Sequence, residues 1–128
     1  MSRQRFPKKE KLTHKRLWES VFQRGVRLKV YPLMLIFREA SLPGAVHAQA
    51  GFAAPKRHFP KAVDRNRIKR ILREAYRLEK SAAFNSTKGS YAIVILYIGR
   101  GLPDFQEVRK ATKSLLKNIA DYEEHAED

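Results

Sequence analysis

The chain has no cysteine, so disulfides and thiolate metal sites are both excluded. It has no run of about 18 apolar residues, so no segment reads as a membrane-spanning helix. Its basic start, Met1 to Lys9, has no apolar stretch behind it and does not read as a secretory signal, so the expected compartment is the cytoplasm. Histidine is sparse: His14, His47, His58 and His125 are scattered without ligand spacing, and neither H-x-x-x-H nor D-x-D occurs. No Ser–His–Asp arrangement or Gly-rich phosphate loop is recognisable either, which argues against a self-sufficient nuclease or hydrolase. Acidic residues are also few, at 13 against 27 Lys+Arg, leaving a net charge of +14 over 128 residues. A charge of that size repels itself unless a polyanion is the partner.

Most of the excess lies in two separated blocks. Residues 1–29 carry +8 and residues 56–80 carry +7, whereas 30–55 are neutral and 81–128 carry −1. A charge serving only solubility would be spread more evenly. Two blocks point to a binding face assembled by the fold. With 43% hydrophobic residues, a chain of this length can bury roughly two-thirds of its unfolded surface as one domain.

Hydrophobic spacing supplies the elements. Residues 1–12 are basic and are expected to be extended or mobile, with Phe6 as an anchor. Thr13 suits a helix cap, and Leu17, Trp18, Val21 and Phe22 recur at helical spacing up to Gly25, predicting a helix over 13–24. The run Leu33 to Phe37 reads as a strand, with another short one near 26–31. Ser41-Leu42-Pro43-Gly44 is turn chemistry. Val46, Ala48, Ala50, Phe52 and Ala54 then alternate on one side of a further strand. A helix is predicted over 61–84 with Ile68, Ile71, Leu72, Ala75 and Leu78 on its apolar face, followed by a loop at Asn85, Ser86, Lys88 and Gly89.

Tyr91 to Ile98 is apolar throughout and reads as a strand buried on both faces. Asp104 and Glu107 form a D-x-x-E capping pattern before a last helix, whose core stripe is Phe105, Val108, Ala111, Leu115, Ile119 and Tyr122. Residues 121–128 form an acidic tail, of which Glu123 to Asp128 are expected to fray, with Glu123 and Glu124 solubilising. The fold class is a mixed α/β single-sheet domain with three helices and about four strands.

The segment from Arg65 to Arg77 carries the chemistry. On a helix, Asn66, Lys69, Arg70, Arg73 and Arg77 share one side, nearly opposite the apolar stripe. Like charges at such spacing repel by about 0.2–0.5 kcal/mol per exposed pair, and only Glu74 and Glu79 are near enough in sequence to compensate. Arginine predominates, and its planar fork pairs bidentately with phosphate and stacks on bases. Asn66 adds a donor and an acceptor suited to a base edge or ribose hydroxyl. A solvated helix face is the alternative, but the imbalance of sign and the nearby Lys56-Arg57 favour a nucleic acid. Composition alone leaves a ribosomal or DNA-binding architectural module open.

The motif Lys61-Ala62-Val63-x-Arg65-Asn66-Arg67-Ile68-Lys69-Arg70-x-x-Arg73-Glu74-Ala75-Tyr76-Arg77, preceded by Gly51-Phe52-Ala53-x-x-Lys56-Arg57, resembles the ribonuclease P protein family. Phe6, Lys8, Leu12, Phe22 and Gly25 match its opening pattern, so the likeness spans about residues 6–120. The resemblance implies an α/β sandwich with a left-handed βαβ crossover. It implies a protein that assists a catalytic RNA in removing the 5′ leader of precursor tRNA, with the chemistry borne by the RNA and its magnesium ions. The protein itself would hold no cofactor or catalytic residue, and no obligate protein partner is evident. Arg65, Asn66, Arg67, Lys69, Arg70 and Arg73 would meet the catalytic RNA, with Arg77, Lys56, Arg57 and Lys61 in the same RNA-binding set. Trp18 and Phe22 would line the cleft for the single-stranded leader. Trp18 stands where the family pattern leads one to expect phenylalanine, and Arg57-His58-Phe59-Pro60 replaces a more usual glycine-containing turn.

Overall fold

The apolar run near the end of the chain organises the rest. In the computed structural model, which describes residues 8–42, 46–84 and 87–126, with side chains to Glu123, it forms the inner strand of a four-stranded mixed sheet. The elements are α1 (Lys15–Arg24), β1 (Val26–Val30), β2 (Leu33–Glu39), β3 (Ala48–Ala53), α2 (Ala62–Phe84), β4 (Tyr91–Tyr97) and α3 (Phe105–Ala126). Strand order is β1-β2-β4-β3; β2 runs antiparallel to β1 and β4, and β3 is parallel to β4. The parallel pair is joined through α2, so β3-α2-β4 is a βαβ unit. The short strand expected near 26–31 is β1.

Side-chain alternation gives the sheet two faces. On one, Leu33, Leu35, Phe37, Ala48, Ala50, Ile93 and Ile95 pack against Ile68, Leu72, Ala75 and Tyr76 of α2 and Val108, Leu115 and Ile119 of α3. On the other, Ile36, Ala92 and Val94 pack against Val21 and Leu12 beneath α1. One helix covers less than two, so Met34, Leu96 and Ala53 stay half-buried on that second face. Strand β4 is buried on both sides, as its unbroken apolar run predicts.

Several local expectations are corrected by tertiary contacts. The first helix starts at Lys15 with His14, not Thr13, at the cap position, and His14 makes no side-chain capping bond. Gly25 does end α1, but in extended backbone; a Cβ there would lie 2.6 Å from Ile36 Cγ2, so close approach to the sheet demands the glycine. Residues 8–12 are not loose: Lys8–Glu10 form a 3-10 turn, Lys11 bridges Ala50 of β3, and Leu12 is 3% exposed. Tyr122 is 46% exposed, its ring edge-on to Phe37 at 5.2 Å, so it belongs to the margin of the core stripe.

The tail does not fray at 123–126, where α3 continues to Ala126. Glu123 is a structural anchor, accepting hydrogen bonds from the N–H groups of Lys88 (2.7 Å) and Gly89 (2.8 Å) and from the Tyr91 hydroxyl. Phe6, Pro43, Gly44, Asn85, Ser86 and the last two residues lie outside the described residues, as do the side chains of Glu124 and His125.

Candidate nucleic-acid interface

Helix α2 seats Ile68, Leu72, Ala75 and Tyr76 against the sheet with none of their surface exposed. That burial fixes the helix's rotation and turns Asn66, Arg67, Arg70 and Arg73 outward, with Lys69 half-buried beside them. Arg67, Lys69, Arg70 and Arg73 pair with no carboxylate among the described residues. The nearest acids are engaged elsewhere. Glu74 accepts from Arg77 Nε at 3.0 Å, and that hydrogen bond holds its carboxyl below the usual value against the opposing effect of burial. Glu79 pairs with Arg109 of α3 at 2.8 Å, so it does not offset the α2 row as expected from sequence.

Two cations of the expected RNA-binding set also have internal duties. Arg77 is tied to Glu74. Arg65 Nη1 donates to the carbonyls of Phe59 (2.9 Å) and Pro60 (2.8 Å), fastening the turn that precedes α2. That turn is anchored by buried Phe59, whose ring lies 5.8 Å from Tyr97, and it displays Lys56, Arg57 and Lys61 to solvent.

The second feature lies on the opposite sheet face. Trp18 and Phe22, one turn apart on α1, stack with centroids 6.0 Å apart and planes 16° from parallel. Both are half-buried and pack against the cluster of Leu12, Val21, Ile36, Ala92 and Val94, as do Met34 and Leu96, which stay half-buried on the same sheet face. Trp18 lies directly on Gly51 of β3, where a Cβ would come within 2.2 Å of its Cζ2. Its indole N–H is used internally, donating to the Leu12 carbonyl. The Phe22 carbonyl accepts from Arg27 Nη2 at 2.8 Å. The cationic helix and the aromatic cleft thus occupy different faces, and the Lys56-Arg57 turn joins β3, which carries Gly51 beneath Trp18, to the start of α2.

Sequence reasoning identified the α2 row and the aromatic pair. It missed Gly51, Met34 and Leu96 as residues of the α1 side, although alternation along β3, β2 and β4 places them there. His14, His47 and His58 are exposed, and the described residues contain no group of three His, Asp or Glu able to hold a metal ion. No helix among them is long and apolar enough to cross a membrane.

A small α/β protein with an arginine row free of carboxylate partners on one face and a stacked, half-buried aromatic pair on the other has the features expected of a nucleic-acid-binding protein. Likeness to known proteins narrows the class. The chain belongs to the ribonuclease P protein family, whose model (Ribonuclease P) matches residues 6–120. It is 35% identical over 111 residues to the ribonuclease P protein component of Chlorobaculum tepidum, covering 77% of this chain and 72% of that one. It is 36% identical over 104 residues to that of Porphyromonas gingivalis, covering 79% and 76%. The solved ribonuclease P protein from Thermotoga maritima superposes with a TM-score of 0.69 at 26% identity, over 86% of this chain and 97% of that chain. The Staphylococcus aureus protein shares the fold, at a TM-score of 0.67 and 16% identity over 86% and 94%.

Proposed function

We propose that this chain is the RNA-binding subunit of a cytoplasmic ribonuclease P, joined to a catalytic RNA through the α2 face and holding the 5′ leader of precursor tRNA in the Trp18–Phe22 cleft. The family membership supports the endoribonuclease role, and the uncompensated Arg67, Lys69, Arg70, Arg73 row carries the assignment of the RNA-facing side. Phosphates would relieve the repulsion along that row, and Asn66 would add a hydrogen bond to a base edge or ribose. Arg65 would shape the turn as well as contribute charge. Lys56, Arg57 and Lys61 would extend the same potential along the turn between β3 and α2, while Arg77, paired with Glu74, would contribute at the far end of the row.

A leader nucleotide stacked on the Trp18–Phe22 pair would gain about 1–3 kcal/mol per base with little regard to sequence. In this reading the metal ions belong to the RNA, and the protein adds positive potential and grip on the leader.

The salt dependence of binding to the catalytic RNA tests the reading. Arg70→Ala and Arg73→Ala should each weaken binding and make the log–log salt slope shallower by roughly 0.7–0.9 for each phosphate no longer neutralised. Unchanged affinity and slope in both variants would remove the α2 face from the interface.

A further inference from the structure

One margin of the sheet gathers the ends of several elements. β1 ends at Val30 and β2 begins at Leu33, which pairs with Tyr97, the last residue of β4. β3 ends there too, with Ala53 opposite Leu96, and α2 starts beyond it at Ala62. Neighbouring strands lie about 4.8 Å apart, so the Tyr31-Pro32 turn before β2 and the turn after β3 are roughly 10 Å from each other across β4. Buried Tyr97 ties these connections together. Its hydroxyl donates to the Gly101 carbonyl at 2.6 Å, and its ring lies 5.8 Å from that of Phe59. The next residue, Ile98, donates its N–H to the Pro32 carbonyl at 2.8 Å. Burial pushes the Tyr97 hydroxyl above its ordinary value, and nearby Tyr31 and Glu107 add to the shift.

This braced margin carries apolar surface that the core does not use. Among the described residues four large apolar side chains stand well out in water: Tyr31 at 65% exposure, Val63 at 77%, Leu102 at 56% and Tyr122 at 46%. The first three share this one end, Tyr31 in the β1–β2 turn, Leu102 in the loop after β4 and Val63 in the first turn of α2. Exposed apolar residues scattered singly are ordinary, but a cluster of them marks a contact surface. Arg100, Lys56, Arg57 and Lys61 are exposed at the same end and pair with no carboxylate among the described residues. Of the acids there, Asp64 is half-buried, and Asp104 and Glu107 line a groove shared with Lys110 and Lys113 of α3.

We propose that Tyr31 and Leu102 form a platform on which an unpaired base of the catalytic RNA stacks, with Arg100 and the exposed cations of 56–61 on the adjoining phosphates. The proposal deepens the α2 reading and rests on it: the RNA that meets the outward arginine row would continue round the start of α2 to the end of the sheet. Charge complementarity selects this partner, since a ring takes the face of a base while the cations around it take the backbone. The platform needs little ordering on binding. Pro32 is held by Ile98, and the loop that presents both Arg100 and Leu102 is held at the Gly101 carbonyl between them.

Dissociation constants for the full chain and the catalytic RNA, without tRNA, test the platform. Tyr31→Ala should weaken binding roughly five- to fiftyfold and, because no charge changes, leave the salt slope as it is. Tyr31→Phe should stay within about twofold of the parent, since stacking needs the ring and not the hydroxyl. Arg100→Gln should make the slope shallower by roughly 0.7–0.9 for the phosphate no longer neutralised. Both side chains are exposed, so these variants should unfold at the parental urea midpoint. On reconstituted holoenzyme, Tyr31→Ala should leave the ratio of precursor to leaderless tRNA affinity unchanged, which separates the platform from leader binding.

Tyr31→Ala within about twofold of the parent, or a loss that Tyr31→Phe shares, overturns the platform. So does self-association of the free chain in sedimentation that Tyr31→Ala abolishes, which would give the surface to a second copy. Arg70→Ala is the control. If it weakens binding while Tyr31→Ala does not, the platform is wrong and the α2 reading stands. If Arg70→Ala leaves binding unchanged, the α2 reading falls and the platform falls with it.

Discussion

Gly51→Ala puts the packing of the cleft to a direct test. A Cβ at position 51 would lie 2.2 Å from Trp18 Cζ2, 2.7 Å from Cη2 and 3.0 Å from Cε2, whereas relaxed carbon contacts need about 3.5–4.0 Å. The indole must therefore lift by roughly 1 Å or more, and its hydrogen bond to Leu12 cannot follow. Overpacking of this kind costs about 1–3 kcal/mol, and the broken hydrogen bond about 1 kcal/mol. Replacing a strand glycine recovers roughly 0.5–1 kcal/mol. The expected net loss is about 1–3 kcal/mol, read as a lower urea midpoint with an unchanged slope. In a Trp18→Phe background the fused ring atoms that clash are gone, so the same substitution should cost less, with a coupling of about 1 kcal/mol or more in the double-mutant cycle. A Gly51→Ala variant within about 0.5 kcal/mol of the parent, or one whose cost is the same with Phe at 18, would refute the reasoning.

Three other substitutions separate structural from binding roles. Arg65→Ala should lower stability by about 1–3 kcal/mol by orphaning the Phe59 and Pro60 carbonyls, whereas exposed Arg70→Ala should stay within about 0.5 kcal/mol while weakening RNA binding; equal unfolding midpoints for the two would contradict the geometry. Glu123→Gln should destabilise by about 1–3 kcal/mol near neutral pH. Burial raises the Glu123 carboxyl, but the Tyr91 hydroxyl, the two loop N–H groups and Lys88 together bring it below its ordinary value. Its contribution is therefore complete above the unfolded value of about 4.3 and is lost as pH falls through the folded one, so the variant should show a flatter stability decline in acid than the parent. Ser20→Ala should raise stability by about 0.5–1 kcal/mol, because the Ser20 hydroxyl is buried with no partner among the described residues and alanine is the better helix former; a loss on thermal unfolding would show that the hydroxyl is satisfied.

What could be read from the chain alone follows the range of the interactions involved. Helix α2 was legible because its apolar and cationic faces repeat at 3.6 residues, and β4 because an unbroken apolar run fits a strand covered on both sides. Alternation placed Ala48 and Ala50 on one side of β3, and the structure shows that side facing the larger core. The residues misread are those whose partners are distant in sequence. Glu123 looks like part of an acidic tail until the 87–90 loop is brought against it, and Glu10 looks like an isolated acid until Lys80, 70 residues away, meets it. Gly25 was correctly taken as a helix end, and the fold supplies the reason in the approach of Ile36. Arg65 belongs to the motif by pattern, and only the fold shows that it also braces the turn. Strand order was not legible, since neither alternation nor turn chemistry says that β4 inserts between β2 and β3.

The central claim is that this chain improves the action of a catalytic RNA on precursor tRNA. It is tested most directly by precursor cleavage at low magnesium, with a bacterial catalytic RNA in the presence and absence of the protein. The account predicts cleavage at the mature 5′ end with both components and little with either alone, restored to the RNA alone by raising magnesium. Cleavage by the protein without RNA, or no gain from the protein at any magnesium concentration with several catalytic RNAs, would contradict it.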